Sequence, residues 1–225
     1  KGSIVQELSL SVRGQGPNIE MNGDGNMFVY GQWNVDTATN PDLTYSNALM
    51  MFYWDGSDWV QKGSAMSGDR SGDRFGEQVS LNNAGTVMSG GSWYDRYTKI
   101  FRWNTSTQDW DLDAKINTSA RGGGGALSKD GNTIVIAFNI YSDNLQVLDY
   151  NGSGWVKRGS TIVGDPNVFD QLSRFYFNIS DDGNTVGTTG GYVYYWDGTD
   201  WAQKGDRISG NTNVVYLNKD GTKVA

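Results

Sequence analysis

Two short motifs alternate along this chain and leave it few architectures to adopt. The first is an apolar residue, Asn or Ser, a variable residue, Asp or once Ala, then Gly. Its copies are Met21-Asn22-Gly23-Asp24-Gly25, Leu81-Asn82-Asn83-Ala84-Gly85, Leu127-Ser128-Lys129-Asp130-Gly131, Ile179-Ser180-Asp181-Asp182-Gly183 and Leu217-Asn218-Lys219-Asp220-Gly221. The second runs from Tyr53-Trp54-Asp55-Gly56 through Asp58-Trp59 to Lys62-Gly63. It recurs almost letter for letter from Tyr195 to Gly205, and more loosely over Trp103–Trp110 and Asp149–Gly159. Asp-Gly or Asn-Gly between apolar runs is the strongest short hairpin signal, because both central residues of a type I′ turn need positive φ. The first motif therefore predicts strand A, a tight turn and strand B, as in Gln78–Leu81 followed by Thr86–Ser89. The second predicts strand C, a tight turn and strand D, as in Met50–Trp54 followed by Trp59–Lys62.

Strand C carries Phe52/Trp54, Phe101/Trp103, Leu148/Tyr150 and Tyr194/Trp196 at alternate positions, and Met51, Ile100, Val147 and Val193 between them. A strand apolar on both sides is covered on both sides. Four short antiparallel strands repeating every ~45–50 residues and buried on both faces describe the blade of a β-propeller. A solenoid's coils are shorter and would not alternate two distinct hairpins, and a sandwich would need the repeat to be accidental. The expected fold is thus all-β: a β-propeller of four-stranded antiparallel blades, four complete and one partial, in a single domain over 1–225. Residues 1–16 end a preceding blade and its loop. The blades follow at 17–61, 75–115, 123–158 and 174–204, and 214–225 is the first half of a fifth. Lys1-Gly2-Ser3 repeats Lys62-Gly63-Ser64, the tail of strand D, so the chain is expected to be a piece of a longer one.

The run Gly72-Asp73-Arg74-Phe75-Gly76-Glu77-Gln78-Val79-Ser80-Leu81, its x-Gly hairpin and Gly90-Gly91-Ser92 resemble the FG-GAP-like repeats of integrin-α-type β-propellers. The Tyr-Trp-Asp-Gly-x-Asp-Trp hairpin is similar to a tandem-repeat subfamily found in surface or secreted proteins of microbes, algae and large viruses. Blades 3 and 4 depart from the pattern, with Gly124-Gly125 and Phe175-Tyr176 where Phe-Gly would stand. The integrin-type calcium loop, Asp-x-Asp-x-Asp-Gly, is not reproduced in any copy. The resemblance implies adhesion, assembly or recognition at an extracellular, cell or virion surface.

Composition narrows the chemistry. With no Cys there is no disulfide framework, zinc-finger site or thiol nucleophile. With no His the usual general base and the commonest transition-metal ligand are missing. A net charge of −7, from 18 Lys and Arg against 25 Asp and Glu, argues against a nucleic-acid partner. No stretch approaches the ~20 apolar residues of a spanning helix, so membrane insertion is not expected. The run Gly122–Gly125 lacks the Lys-Ser/Thr of a phosphate-binding loop and opens a strand, which points to close packing between blades.

Function on such a scaffold is expected on the D–A and B–C loops, at the rim opposite the tight turns. Trp33, Trp93, Tyr94, Tyr97 and Tyr141, with Arg70 and Arg74, fall in or beside those loops. Aromatics interleaved with Arg, Asp and Asn suit a protein or glycan partner, since they supply stacking area and hydrogen bonds together. Trp33 and Trp93 also fit a simpler role, plugging gaps between blades. Calcium needs six to eight converging oxygens, and Asp69 with Asp73, or Asp165 with Asp170, come nearest; no other cofactor is implied. The sequence therefore predicts a non-catalytic interaction or structural module within a larger assembly. The alternatives are a lectin-like propeller using the loop aromatics and, further off, a glycan-active enzyme, which would need two carboxylates facing each other across a pocket.

Overall fold

The computed structural model describes residues 18–33, 47–119, 124–139, 144–164, 177–188, 190–208 and 215–223. Within them lie four antiparallel sheets, each hydrogen-bonded in chain order. Blade 1 holds β1 (Asn18–Met21), β2 (Met27–Gln32), β3 (Ala48–Trp54), β4 (Trp59–Gln61) and β5 (Met66–Ser67), the last two sharing β3 as partner. Blade 2 holds β6 (Phe75–Leu81), β7 (Val87–Ser92), β8 (Tyr97–Asn104) and β9 (Asp109–Asn117). Blade 3 holds β10 (Gly125–Leu127), β11 (Thr133–Asn139), β12 (Asn144–Tyr150) and β13 (Trp155–Lys157). Blade 4 holds β14 (Phe177–Ile179), β15 (Thr185–Thr188), β16 (Val193–Trp196) and β17 (Trp201–Gln203). Val215 to Lys223 add a fifth A–B turn, closed by Asn218 N–H donating to Lys223 O. No helix long and apolar enough to cross a membrane occurs among the described residues.

Alternation in the strands sends side chains to both neighbours. Val29, Leu49 and Met51 of blade 1 pack with Leu81, Met88, Phe101 and Trp110 of blade 2. Val87 and Ile100 of blade 2 meet Ile134, Ile136 and Leu148 of blade 3, and Val135, Leu145 and Val147 of blade 3 meet Val186 of blade 4. Each such side chain contributes roughly 1.5–3 kcal/mol by leaving water. The innermost strands β1, β6, β10 and β14 surround a cavity of about 330 Å³. Sheets packed face to face around a shared axis make the fold a β-propeller.

The A–B turns correct one expectation. They are not type I′: Asp24, Asp130, Asp182 and Asp220 do not have positive φ, and only the following Gly25, Gly131, Gly183 and Gly221 do. The leading Asn or Ser instead holds a longer loop. Asn82 Oδ1 accepts from Thr86 N and Val87 N at 2.8 and 2.9 Å, and Ser128 Oγ accepts from Thr133 N at 3.0 Å. The Asp then caps without positive φ, Asp130 Oδ1 accepting from Asn132 N at 2.9 Å. These turns also link the blades: Gly23 N–H donates to Asn83 O, Asn83 N–H to Lys129 O, Lys129 N–H to Asp181 O and Asp181 N–H to Lys219 O.

Strand D supplies a second inter-blade device. After Lys62, whose N–H still donates to Met51 O, the chain leaves the sheet and returns as β5; after Arg158, whose N–H donates to Val147 O, it leaves and rejoins at the Leu145–Ile162 bridge. The excursion clasps the next blade. Lys62 Nζ lies 4.6 Å from the centre of the Trp103 ring, Lys62 O accepts from Trp110 Nε1 at 2.8 Å, and Ser64 N–H donates to Asp109 Oδ1 at 2.7 Å. Between blades 3 and 4, Arg158 lies 4.6 Å from Trp196, Arg158 O accepts from Trp201 Nε1 at 2.9 Å, and Ser160 N–H donates to Asp200 Oδ1 at 2.6 Å. Between blades 2 and 3 the parts are exchanged. β9 runs on without an excursion, Trp155 Nε1 donates to Asp113 Oδ2 at 3.0 Å, and Arg102, paired with Asp113 at 3.2 Å, covers Tyr150. Gly154 stands where the other receptors carry Asp.

The strand C indoles are less covered than expected. Trp54 is 39% exposed, and Trp103 and Trp196 are half-buried, because they lie beside the C–D turn, where each packs against the Trp of strand D. The deeper Phe52 and Phe101 are buried as the pattern requires.

Candidate functional site

Opposite the tight turns, four segments of blades 1 and 2 converge: Trp33 after β2, Asn47 before β3, the loop 68–74 and the turn 93–96. Asp73 organises them. It is fully buried, and its carboxylate accepts from Asp69 N at 2.8 Å, Phe75 N at 2.9 Å and Tyr97 Oη at 2.5 Å. Its carbonyl accepts from Ser92 Oγ at 2.6 Å and Tyr94 N at 3.2 Å, tying the loop to the neighbouring turn. Burial, reinforced by the bond to Asp73, pushes the Tyr97 phenol well above its usual pKa. Asp69 sits between Lys115 and Lys99, and the two ammonium groups hold its carboxyl below the usual range. Asp69 and Asp73 are thus committed to protein donors, and among the described residues no group of three or more acidic or His/Cys side chains could hold a metal.

The outer layer is cationic and aromatic. Arg70 makes a two-pronged ion pair with Asp95, Nε–Oδ2 2.7 Å and Nη2–Oδ1 2.5 Å. Arg74, in the left-handed region at φ 57°, donates its backbone N–H to Asn47 Oδ1 at 3.1 Å. Its guanidinium is held between two rings, 5.0 Å from the centre of Trp33 and 4.6 Å from that of Tyr94. Among the described residues no carboxylate pairs with it.

The structure therefore brings together Trp33, Tyr94, Arg70 and Arg74 of the sequence-predicted set. Trp33 is buried, Arg74 is half-buried and Tyr94 is exposed, so the stack reaches solvent through Arg74 and Tyr94. Trp93 packs into the apolar cluster of blades 3 and 4, and Tyr97 is buried at the start of β8 beneath the rim instead of on it. Tyr141, Asp165 and Asp170 lie outside the described residues. Asn47 and Asp95 fall in the rim segments the sequence singled out, but Lys99 and Lys115 were missed. The lysines left a signal, since two cations at cross-strand partner positions in an apolar sheet repel unless a carboxylate lies between them.

Among the described residues the central cavity is lined by one titrating group. Glu20 of β1 reaches across to blade 2, hydrogen-bonded to the backbone of Leu81 and the side chain of Ser80, yet burial outweighs both bonds and lifts its pKa from 4.5 to about 7. Between those values the fold keeps a proton that the unfolded chain has released, so stability falls as pH rises through that window, by at most about 3 kcal/mol. Glu20→Gln is expected to match the parent at pH 4 and to unfold at a higher temperature than the parent at pH 8. Parallel melting curves without that divergence would show the carboxyl to be solvated.

Comparisons with known proteins place the fold. No protein-family profile and no curated protein matches the chain. Among solved structures it is similar to the β-propeller domain of Cps50 (Swd1) from Myceliophteria thermophila, with 11% identity, a TM-score of 0.59, and coverage of 96% of this chain and 63% of that one. It is similar to the periplasmic gluconolactonase PpgL of Pseudomonas aeruginosa, with 12% identity, a TM-score of 0.59, and coverage of 93% and 68%. A third likeness is to KlAtg21, solved in complex with the coiled-coil of AgAtg16, with 14% identity, a TM-score of 0.60, and coverage of 84% and 57%. The likeness is one of fold, and the chain spans about three-fifths of the length of these structures.

Proposed function

We propose that this propeller is a non-catalytic recognition module, displayed on an extracellular, cell or particle surface, that binds an acidic protein segment through the rim of blades 1 and 2. The observation that carries this reading is the Arg74 guanidinium, stacked between Trp33 and Tyr94 without a carboxylate of its own among the described residues. Cation–π contacts with two rings hold a guanidinium in place while its N–H groups can still meet a carboxylate. Arg70 and Lys115 are already paired with Asp95 and Asp69, so the positive charge left for a partner is that of Arg74. A protein partner also fits the KlAtg21 likeness, that protein having been solved bound to a coiled-coil. The rim carboxylates Asp69, Asp73 and Asp95 are engaged by protein donors, which speaks for binding over acid–base chemistry. Gly76, at φ 90° and pressed against Gly31, gives the Phe75-Gly76 pair a packing reason and supports a place among FG-GAP-like propellers.

Selection of phage-displayed peptides on the immobilised chain is expected to enrich Asp- and Glu-bearing sequences. Their affinity should fall about tenfold or more in Arg74→Ala with little change in melting temperature. Peptides held equally by Arg74→Ala would refute the site, and a glycan array with hits where peptides give none would transfer it to the lectin reading.

A further inference from the structure

The four C–D turns share one side-chain arrangement, in which the first residue caps the amides that follow it. Asp55 Oδ1 accepts from Ser57 N at 2.7 Å, Ser57 Oγ at 2.9 Å and Asp58 N at 2.8 Å. Asp197 Oδ1 accepts from Thr199 N at 2.7 Å and from Thr199 Oγ1 and Asp200 N at 2.8 Å. Asn104 Oδ1 accepts from Ser106 N at 2.8 Å and Thr107 N at 3.3 Å. Asn151 Oδ1 accepts from Ser153 N at 3.0 Å, Ser153 Oγ at 2.9 Å and Gly154 N at 3.0 Å. Of the four, only the turn of blade 3 joins an Asn to a Gly.

We propose that the Asn151-Gly152 turn is a self-modification site, at which Asn151 loses ammonia and becomes Asp or β-linked Asp. The backbone nitrogen of Gly152 adds to Asn151 Cγ, and the new N–Cγ bond closes a succinimide ring. The Cγ–Nδ2 bond breaks, and Nδ2 leaves as ammonia with the proton given up by Gly152 N. Water then opens the ring. Addition at Cγ gives an ordinary Asp at 151, and addition at the main-chain carbonyl carbon leaves the chain running through the side chain. The turn supplies the parts for the first step. Negative charge develops on Oδ1 as the nitrogen adds, and three donors already point at that atom. The bond to the amide two residues on folds the side chain over the Gly152 peptide. Gly152 has open space where a Cβ would stand, so nothing shields its nitrogen. Residues 151–153 are exposed, and among the described residues no partner holds Gly152 N or Asn151 Nδ2.

Related positions show what withholds the reaction. Asn22-Gly23 is the other Asn-Gly pair of the sequence. Asn22 is buried, its Nδ2 donates to Asn26 Oδ1 at 2.9 Å, and Gly23 N–H donates to Asn83 O at 3.3 Å, so leaving group and nucleophile are both committed. Asn104 Nδ2 donates to Asp111 Oδ2 at 2.7 Å, and the nitrogen that would attack belongs to Thr105, whose branched side chain crowds it. Asp55 and Asp197 do precede Gly, but the backbone amides of the turn hold both carboxyls below the usual range, and a carboxylate ion resists addition. Those two turns also show that an ordinary Asp fits the position, so this product keeps the hairpin. The β-linked product adds a backbone atom between Tyr150 and Trp155, whose rings pack at 5.6 Å, and Trp155 in turn donates to Asp113 of blade 2. It therefore loosens the junction of blades 2 and 3.

The folded chain, kept in warm, mildly alkaline buffer and mapped by peptide mass, tests this. The peptide holding Asn151 is expected to gain about one dalton at about ten times or more the rate of the peptide holding Asn22. In urea strong enough to unfold the chain the two should react at similar rates. Asp55→Asn rebuilds the blade 3 turn in blade 1 and should create a second site that reacts at a rate comparable to Asn151. Asn22 reacting as fast as Asn151 in the folded chain would overturn the proposal, and so would an Asp55→Asn turn that stays intact while Asn151 reacts. Aged chains carrying the β-linked product should melt below the Asn151→Asp variant, and equal melting would refute the loosened junction.

Discussion

Gly31→Ala is expected to destabilise the propeller by about 3 kcal/mol or more, lowering the urea midpoint at unchanged slope. Gly31 does not have positive φ, so backbone strain adds nothing and the cost is steric. A Cβ there would lie 2.1 Å from Gly76 O and 2.7 Å from Val79 Cγ1, where strand B of blade 1 touches strand A of blade 2. The obstacle is main chain and cannot swing aside as a flexible side chain would. Gly56→Ala makes the contrasting measurement, because Gly56 has φ 106° but open space, and its cost should be of order 1 kcal/mol from conformation alone. A Gly31→Ala loss no greater than that of Gly56→Ala would mean that the two blades are not in the contact described.

Asp73→Ala should cost about 4 kcal/mol. The carboxylate is the acceptor for Phe75 N, Asp69 N and the Tyr97 phenol in a buried position, and each donor left without a partner costs roughly 1–3 kcal/mol. Adding Tyr97→Phe to Asp73→Ala removes one orphaned donor, so the double variant should lose less than the sum of the single ones, with a coupling of about 1 kcal/mol. Asp73 also fixes the loop that aims Arg74, so peptide binding at the rim should weaken in the same variant. Stability within about 0.5 kcal/mol of the parent would refute the role assigned to Asp73.

Much of the architecture was legible because the motifs mark turns, and turns set where strands begin. Strand C in particular showed its two covered faces in Met51/Phe52 and Ile100/Phe101. The type of turn was not legible. Asp-Gly usually reports two left-handed residues, but here Asn82 or Ser128 caps the far side of the loop and leaves the left-handed position to Gly alone, a choice made by a side chain outside the dipeptide. The departure of strand D from the sheet at Lys62-Gly63-Ser64 was hidden for another reason: its partners, Trp103, Asp109 and Trp110, lie a whole blade further on. At the rim, Trp33, Tyr94, Arg70 and Arg74 could be picked out by composition. Composition could not show that Tyr97 faces inward to Asp73, since β8 already begins at Tyr97, a residue the sequence placed in or beside the B–C loop.

The exchanged junction between blades 2 and 3 bears on how such a ring could be rebuilt. Blade 2 hands on a carboxylate, Asp113, and blade 3 meets it with Gly154 instead of an acid. Moved to follow blade 1, blade 3 would offer no acceptor to the arriving Ser64 amide; blade 2 set before blade 4 would bring Asp113 towards Asp200 and leave that acid without its serine. The repeats share a shape but not an interchangeable address, so shuffling or duplicating them singly should yield mismatched neighbours, whereas transplanting blades 2 and 3 as a unit would keep their complementarity.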